Sequence, residues 1–199
     1  MSILSLAGAS GVGKSTFMRT FLKVVPKSTI LPSYTTRELR GSEITWDGVP
    51  EYYQLSRKEM LERDEVGEFL HVFGRDSHTY GTTLYATRVS DFEAALASKH
   101  VHLCALFVPG VEMFFDESRD RHKEHEMHAV FLDLKDEEER RRRLDQGGGR
   151  DQTRYVEELS QWRRLIGKSD APFYLLEATS SPEELVRKTT EHFKLYSPA

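Results

Sequence analysis

The sequence has a single cysteine, Cys104, in 199 residues. No intramolecular disulfide can form, which fits a reducing compartment and excludes a disulfide-stapled scaffold. Cys104 lies in an apolar run and reads as a small core residue. Long hydrophobic runs are also missing. No apolar stretch approaches the roughly 20 residues of a membrane span, and the chain starts with a core-like strand instead of a basic leader. The expected location is the cytoplasm, with no membrane partner. A strong excess of one charge is absent too: 28 Lys and Arg stand against 32 Asp and Glu, a formal net charge of −4. That makes a nucleic-acid partner unlikely while leaving room for local basic pockets. There is no internal repeat and no low-complexity segment. With 38% hydrophobic and 30% charged residues, the chain is globular and long enough for one domain with a sizeable core.

What is present is organised around Gly8-Ala9-Ser10-Gly11-Val12-Gly13-Lys14-Ser15, followed by Thr16. It satisfies G-x-x-x-x-G-K-[ST], the phosphate-binding loop. Residues 3–7 before it read as a short buried strand, and residues 16–22 after it as the first turns of a helix. Glycines let backbone N–H groups turn onto phosphate oxygens, and the helix that starts at Lys14 aims the positive end of its dipole at them. Lys14 can reach the β- and γ-phosphates, and the Ser15 hydroxyl can hold Mg²⁺.

Further along, residues 28–31 read as a strand. Residues 33–40, polar and carrying Arg37 and Arg40, read either as a loop that holds an anion or as a solvated basic loop. Residues 41–50 read as a loop or hairpin tip and residues 51–55 as a strand. Ser56 with Glu59 forms a capping box for a helix over 57–64. Residues 68–73 read as a strand and 78–82 as a short strand or turn, with Thr83 capping a helix to about Ser98. Buried strands are expected at 101–108 and 129–134, with a helix from Pro109 to Met113 and a solvated connection over 118–128. Asp136 caps a helix that is acidic at its start (Glu137, Glu138, Glu139) and basic towards its end (Arg140 to Arg143). Gly147-Gly148-Gly149 breaks it, and a second helix covers about 152–166. This glycine-hinged, arginine-studded pair is either a mobile lid or a plain helical hairpin. The last strand is 172–176, and Ser181-Pro182 opens the last helix. Strands alternating with helices predict an α/β fold with a parallel sheet.

The order of these parts resembles the guanylate kinase family over nearly the whole chain. The resemblance rests on the phosphate loop, then Ser33-x-Thr35-Thr36-Arg37-x-x-Arg40, Glu43, Tyr52, Glu68-Phe69 and Tyr80-Gly81-Thr82. It implies a P-loop kinase with a central parallel sheet flanked by helices (1–32, 84–139 and 167–199). An inserted small lobe that binds a nucleoside monophosphate would cover 33–83, and a helical lid over ATP 140–166. The implied activity is ATP-dependent phosphoryl transfer, with Mg²⁺, to a small-molecule nucleotide. By position, Gly8 to Thr16 would bind ATP. Arg37, Arg40, Tyr52 and Tyr80 would hold the acceptor phosphate, and Ser33 and Thr82 would contact its base. Lys14, Arg37, Arg40 and the lid arginines Arg143 and Arg150, with Arg154 a weaker candidate, would neutralise the charge in flight.

The chain departs from the family where guanine is read. The family's glutamate three residues after Glu68 is replaced by His71, and its acidic pair by Ala105 and Phe107. A carboxylate accepts from guanine N1–H and N2–H₂; neutral histidine and phenylalanine do not replace it. The expectation is therefore an altered or modified base, with His71 either in the base pocket or a plain packing histidine. Phe107 reads either as a pocket residue or as core. Asp133, at a strand end, is either a water-mediated metal contact or a helix cap. Two other readings stay open: a kinase acting on ribose 1,5-bisphosphate, and a non-catalytic binding module, against which the intact Lys14 and Ser15 argue.

Overall fold

The computed structural model describes residues 3–41, 43–77, 81–123, 126–146, 154–168 and 173–195. In chain order the first elements are β1 (Ile3–Ala7), α1 (Lys14–Val24), β2 (Ser28–Ile30), β3 (Ser33–Thr35), β4 (Thr45–Trp46), β5 (Val49–Pro50), β6 (Tyr52–Gln54), α2 (Arg57–Glu65) and β7 (Phe69–Ser77). They are followed by β8 (Gly81–Arg88), α3 (Val89–Ala97), β9 (Val101–Ala105), α4 (Val108–Asp120), β10 (Met127–Asp133), α5 (Glu137–Gln146), α6 (Arg154–Lys168), β11 (Phe173–Glu177) and α7 (Pro182–Phe193).

A five-stranded sheet in the order β11-β10-β1-β9-β2 forms the centre, and every neighbouring pair in it is parallel. Such a sheet needs cover on both faces, which is why β1 is buried along its whole length. Its side chains alternate. Leu4 and Leu6 join Phe17, Phe21, Leu185 and Val186 of α1 and α7 on one face. Ile3 and Ala7 join Phe92, Phe114, Phe115 and Trp162 of α3, α4 and α6 on the other. This is the expected α/β architecture of a central parallel sheet flanked by helices.

A second sheet, ordered β6-β3-β8-β7, stands apart from the first. One of its faces packs Tyr34, Phe69, Leu84 and Ala86 on Met60 of α2. The capping box predicted for α2 is present, with Ser56 Oγ accepting from Glu59 N at 3.1 Å and Glu59 Oε2 accepting from Ser56 N at 2.8 Å.

Four local expectations fail, the first being the strand expected over 101–108, which stops at Ala105 because α4 already starts at Val108 with Phe107 as its N-cap. The helix predicted from Thr83 is instead the strand β8, and α3 begins only at Val89, with no side-chain cap. Thr83-Leu84-Tyr85-Ala86-Thr87 alternates polar with apolar, and β7 supplies a full antiparallel partner; a ladder outweighs the lone capping signal of Thr83. The small sheet therefore continues past 83. Ser33 to Thr35, expected in a loop, form the strand β3 between β6 and β8. Finally, α4 runs on to Asp120, through the start of the expected solvated connection.

Candidate active site

The phosphate loop joins β1 to α1 as predicted. Gly8, Gly11 and Gly13 have φ of 134°, 83° and 103°, values that side chains with a Cβ resist. At Gly8 the limit is also spatial, because a Cβ there would lie 2.5 Å from the carbonyl oxygen of Leu132 on β10. Val12 is buried in the core and anchors the loop from below. The Lys14 ammonium curls over the loop, donating to Gly8 O at 2.5 Å and Ala9 O at 3.0 Å. Ser15 is half-buried and Thr16 exposed in the first turn of α1, which carries no acidic residue. The turn is thus free of the charge that would repel an anion at a helix N-terminus.

The four arginines of α5 do different things. Arg140 is buried and donates to Leu134 O at 3.1 Å, tying the helix to the end of β10. Arg141 pairs with Glu137 at 2.5 Å on the surface. Arg142 and Arg143 share Glu139, each at 2.7 Å, and this pairing holds the Glu139 carboxyl down at about 2. Only Arg143 reaches the loop: its Nη1 lies 3.8 Å from where a Cβ on Gly13 would stand.

The face of the second sheet away from α2 carries the other half of the site. Alternation puts Ser33, Thr35, Tyr52, Tyr85, Thr87, His71 and Phe73 on that face, by the pairings Ser33 with Tyr52, Thr35 with Tyr85, Tyr85 with Phe73 and Thr87 with His71. An irregularity between Phe69 and His71 lets Phe69 stay under α2 while His71 turns outward. Arg37, just past β3, is buried beside this face. It pairs with Glu43 and donates from Nε to the Tyr85 hydroxyl at 3.3 Å and from Nη1 to Glu38 O at 2.8 Å. Its guanidinium lies 4.8 Å from the centre of the Tyr52 ring, and Tyr52 meets Tyr85 edge-on at 6.2 Å. Burial pushes the Tyr52 hydroxyl well above its ordinary value, so it is a neutral donor. Arg40 is exposed nearby.

Glu51 is buried, accepts from Ile44 N at 3.3 Å, and is raised above the usual carboxylate range first by burial. The positive charges of Arg37 and Lys14 act on it in the opposite direction.

At the far end of the face, His71 lies among aromatic rings: Phe73 at 4.5 Å and Phe114 at 5.8 Å. Phe73 in turn meets the half-buried Phe107, the residue before α4, edge-on at 4.7 Å. Burial lowers His71 to about 3, so the ring is neutral, and its Nδ1 is buried without a hydrogen-bond partner among the described residues. Thr87 sits opposite it in the ladder.

The structure thus brings Lys14, Ser15 and Arg143 together on one side and Ser33, Arg37, Tyr52 and His71 on the other. Thr82 is elsewhere: it is exposed, pairs with Asp76 nearer the hairpin tip, and its carbonyl accepts from Arg57 at 3.2 Å. Tyr80 and Arg150 lie outside the described residues, as does the side chain of Arg154, where α6 starts. Glu68 pairs with Arg88 at 2.7 Å and Arg63 at 3.5 Å. Asp133 is buried at the end of β10. Sequence reasoning missed Tyr85, Thr87 and Glu139. The signal for the first two was in the chain: Tyr85-Ala86-Thr87 is a second Tyr-x-Thr triplet just after Tyr80-Gly81-Thr82, set in an alternating strand.

Comparison with known proteins agrees with this geometry. The guanylate kinase family model matches residues 1–191. A guanylate kinase of Helicobacter pylori is 31% identical over 145 residues, covering 72% of this chain and 63% of that protein. The match therefore spans less than two thirds of that relative's length. A guanylate kinase of Trichormus variabilis is 38% identical over 80 residues, 40% of this chain and 39% of that protein. The crystal structure of guanylate kinase from Anaplasma phagocytophilum superposes with a TM-score of 0.66 at 20% identity, over 97% of this chain and 84% of that one, which shows the shared fold. With a family match over residues 1–191 of its 199, the chain belongs to the guanylate kinase family.

Proposed function

We propose that the protein is an ATP-dependent nucleoside monophosphate kinase. It would transfer the γ-phosphoryl group of ATP to the phosphate of a (deoxy)nucleoside monophosphate whose base is not read as guanine. The observation that carries this is the presence of two cationic sites, Lys14 with Arg143 at the glycine loop and Arg37 with Tyr52 and Tyr85 on the second sheet. Phosphoryl transfer asks little covalent chemistry of a protein; it asks for two anions held in line with their charge neutralised.

ATP fits the loop. The positive-φ glycines give the loop a backbone course that residues with a Cβ resist, and the contacts of Lys14 with the Gly8 and Ala9 carbonyls are ones that phosphate oxygens can replace. Ser15 would hold Mg²⁺, which neutralises phosphate charge when bound. Arg143, steadied by Glu139, is set to neutralise charge above Gly13. Arg37 and Arg40 would take the acceptor phosphate, with the hydroxyls of Tyr52 and Tyr85 donating to the same oxygens. Tyr85 and Thr87 fill the roles that the sequence alone assigned to Tyr80 and Thr82.

The base end supports the second half of the proposal. Reading guanine needs acceptors for N1–H and N2–H₂, and the pocket presents a neutral imidazole and two phenylalanine rings instead. Coupled ADP release with ATP and Mg²⁺, across the common ribo- and deoxynucleoside monophosphates and ribose 1,5-bisphosphate, tests the assignment. Turnover of a monophosphate other than GMP and dGMP is expected; GMP outrunning every other acceptor would remove the altered-base part, and silence with all nucleotides would remove the kinase.

A further inference from the structure

The segment that carries Arg37, Arg40 and Glu43 is held at both ends. At its start β8 holds Thr36: Thr36 N donates to Leu84 O at 3.1 Å, and Thr36 Oγ1 accepts from Leu84 N at 2.9 Å. At its far end Glu51 holds Ile44. Ile44 N donates to Glu51 Oε2 at 3.3 Å, and Glu51 N donates to Ile44 O at 2.7 Å. Glu51 O accepts from Ser33 N at 3.0 Å, so the same residue ties this end back to β3. Between the two ends, Glu43 N donates to Arg40 O at 3.1 Å, and the Glu43 carboxylate pairs with Arg37.

The backbone bonds of residue 51 could be made by any residue except proline. The side-chain bond is particular to Glu51. Ile44 and Glu51 are both buried, and Ile44 packs in the main core with Leu22 and Val25. Water therefore does not readily replace the carboxyl as the acceptor for Ile44 N. A carboxyl opposes its own burial, and here the neighbouring Glu43 charge adds to that. What it supplies in this place is an acceptor oxygen of the right reach, one residue from the carboxylate that steadies Arg37. Its neutral form supplies that oxygen equally well.

Granted the kinase reading above, we infer that Glu51 is a positioning residue for the acceptor phosphate: by holding Ile44 it sets Glu43 against Arg37 and fixes the guanidinium where the phosphate is received. Reach is the operative feature, and charge is not. Two conservative variants separate the two. E51Q keeps an oxygen at the same reach without the charge, and E51D keeps the charge on a side chain one methylene shorter. Steady-state kinetics with Mg²⁺ would give KM for ATP and for whichever common nucleoside monophosphate turns over best. E51D should raise the acceptor KM by about fivefold or more and leave the ATP KM within about twofold. E51Q should stay within about twofold of wild type for both. A general loss of stability would not split the two KM values in this way. An unchanged acceptor KM in E51D, an E51Q impaired as much as E51D or more, or both KM values raised alike overturns the inference and leaves the kinase reading standing. A wild-type protein that turns over no monophosphate overturns both.

Discussion

Replacing Tyr85 by phenylalanine probes the acceptor clamp with the least disturbance. The ring stays, so its edge contact with Tyr52 at 6.2 Å is kept, and the alternation of β8 is untouched. What disappears is the hydroxyl that accepts from Arg37 Nε at 3.3 Å. Arg37 is buried, so its Nε–H loses a partner that water does not readily replace. Such a loss costs about 1–3 kcal/mol, and at 3.3 Å the bond is long, which places it near 1–1.5 kcal/mol. Glu43 and the Glu38 carbonyl still hold the guanidinium, so the fold should survive. The cost should fall on acceptor binding, a rise of about five- to tenfold in KM for the monophosphate, with KM for ATP unchanged. Steady-state kinetics with each substrate varied in turn reads this out, with Y80F measured in parallel. A Y85F enzyme with wild-type acceptor KM beside a crippled Y80F would refute the placement of the clamp.

Other consequences follow from the same contacts. G8A would force a Cβ to 2.5 Å from Leu132 O at a φ of 134°, and should destabilise the protein by about 2–4 kcal/mol; a urea midpoint equal to wild type would contradict it. E139Q frees Arg143 from its tether and should raise KM for ATP about two- to fivefold without changing the thermal midpoint, whereas an unchanged KM would mean that Arg143 needs no steadying. His71 is lowered by burial from 6.5 to about 3, so the unfolded chain binds more protons than the folded one between those values. Stability is then full above pH 6.5 and falls with pH, by about 1.4 kcal/mol at pH 5.5 from this group alone. His102 and His128, each lowered to about 4, push in the same direction. An unfolding midpoint that stays level from pH 7 to 5 would refute the buried neutral state.

The parts of the molecule legible in the sequence were those governed by local chemistry. The phosphate loop declares itself because its backbone angles favour glycine and Lys14-Ser15 complete the G-x-x-x-x-G-K-[ST] pattern. Ser56 with Glu59 and Ser181 with Pro182 marked helix starts correctly, since caps act over a single turn. The parallel core could be read from apolar runs such as 129–134. What was not legible depended on partners distant in sequence. Thr83 looks like a cap until β7 is beside it, and Ser33 to Thr35 look like a loop until β6 and β8 enclose them. The same displacement hid Tyr85 and Thr87, because which Tyr-x-Thr triplet faces Arg37 and His71 is decided by hairpin register. Four consecutive arginines in α5 could not be told apart by composition. Their different fates follow from helical phase, which sends Arg140 under the helix, Arg141 and Arg142 to the surface and Arg143 over the loop.

Direct transfer of label tests the central claim most closely. The protein would be incubated with [γ-³²P]ATP, Mg²⁺ and a mixture of nucleoside monophosphates, beside K14M. Labelled nucleoside diphosphate from the wild-type protein, reduced by about a thousandfold or more in K14M, is the predicted result. ATP that binds but leaves every monophosphate unlabelled would contradict the account.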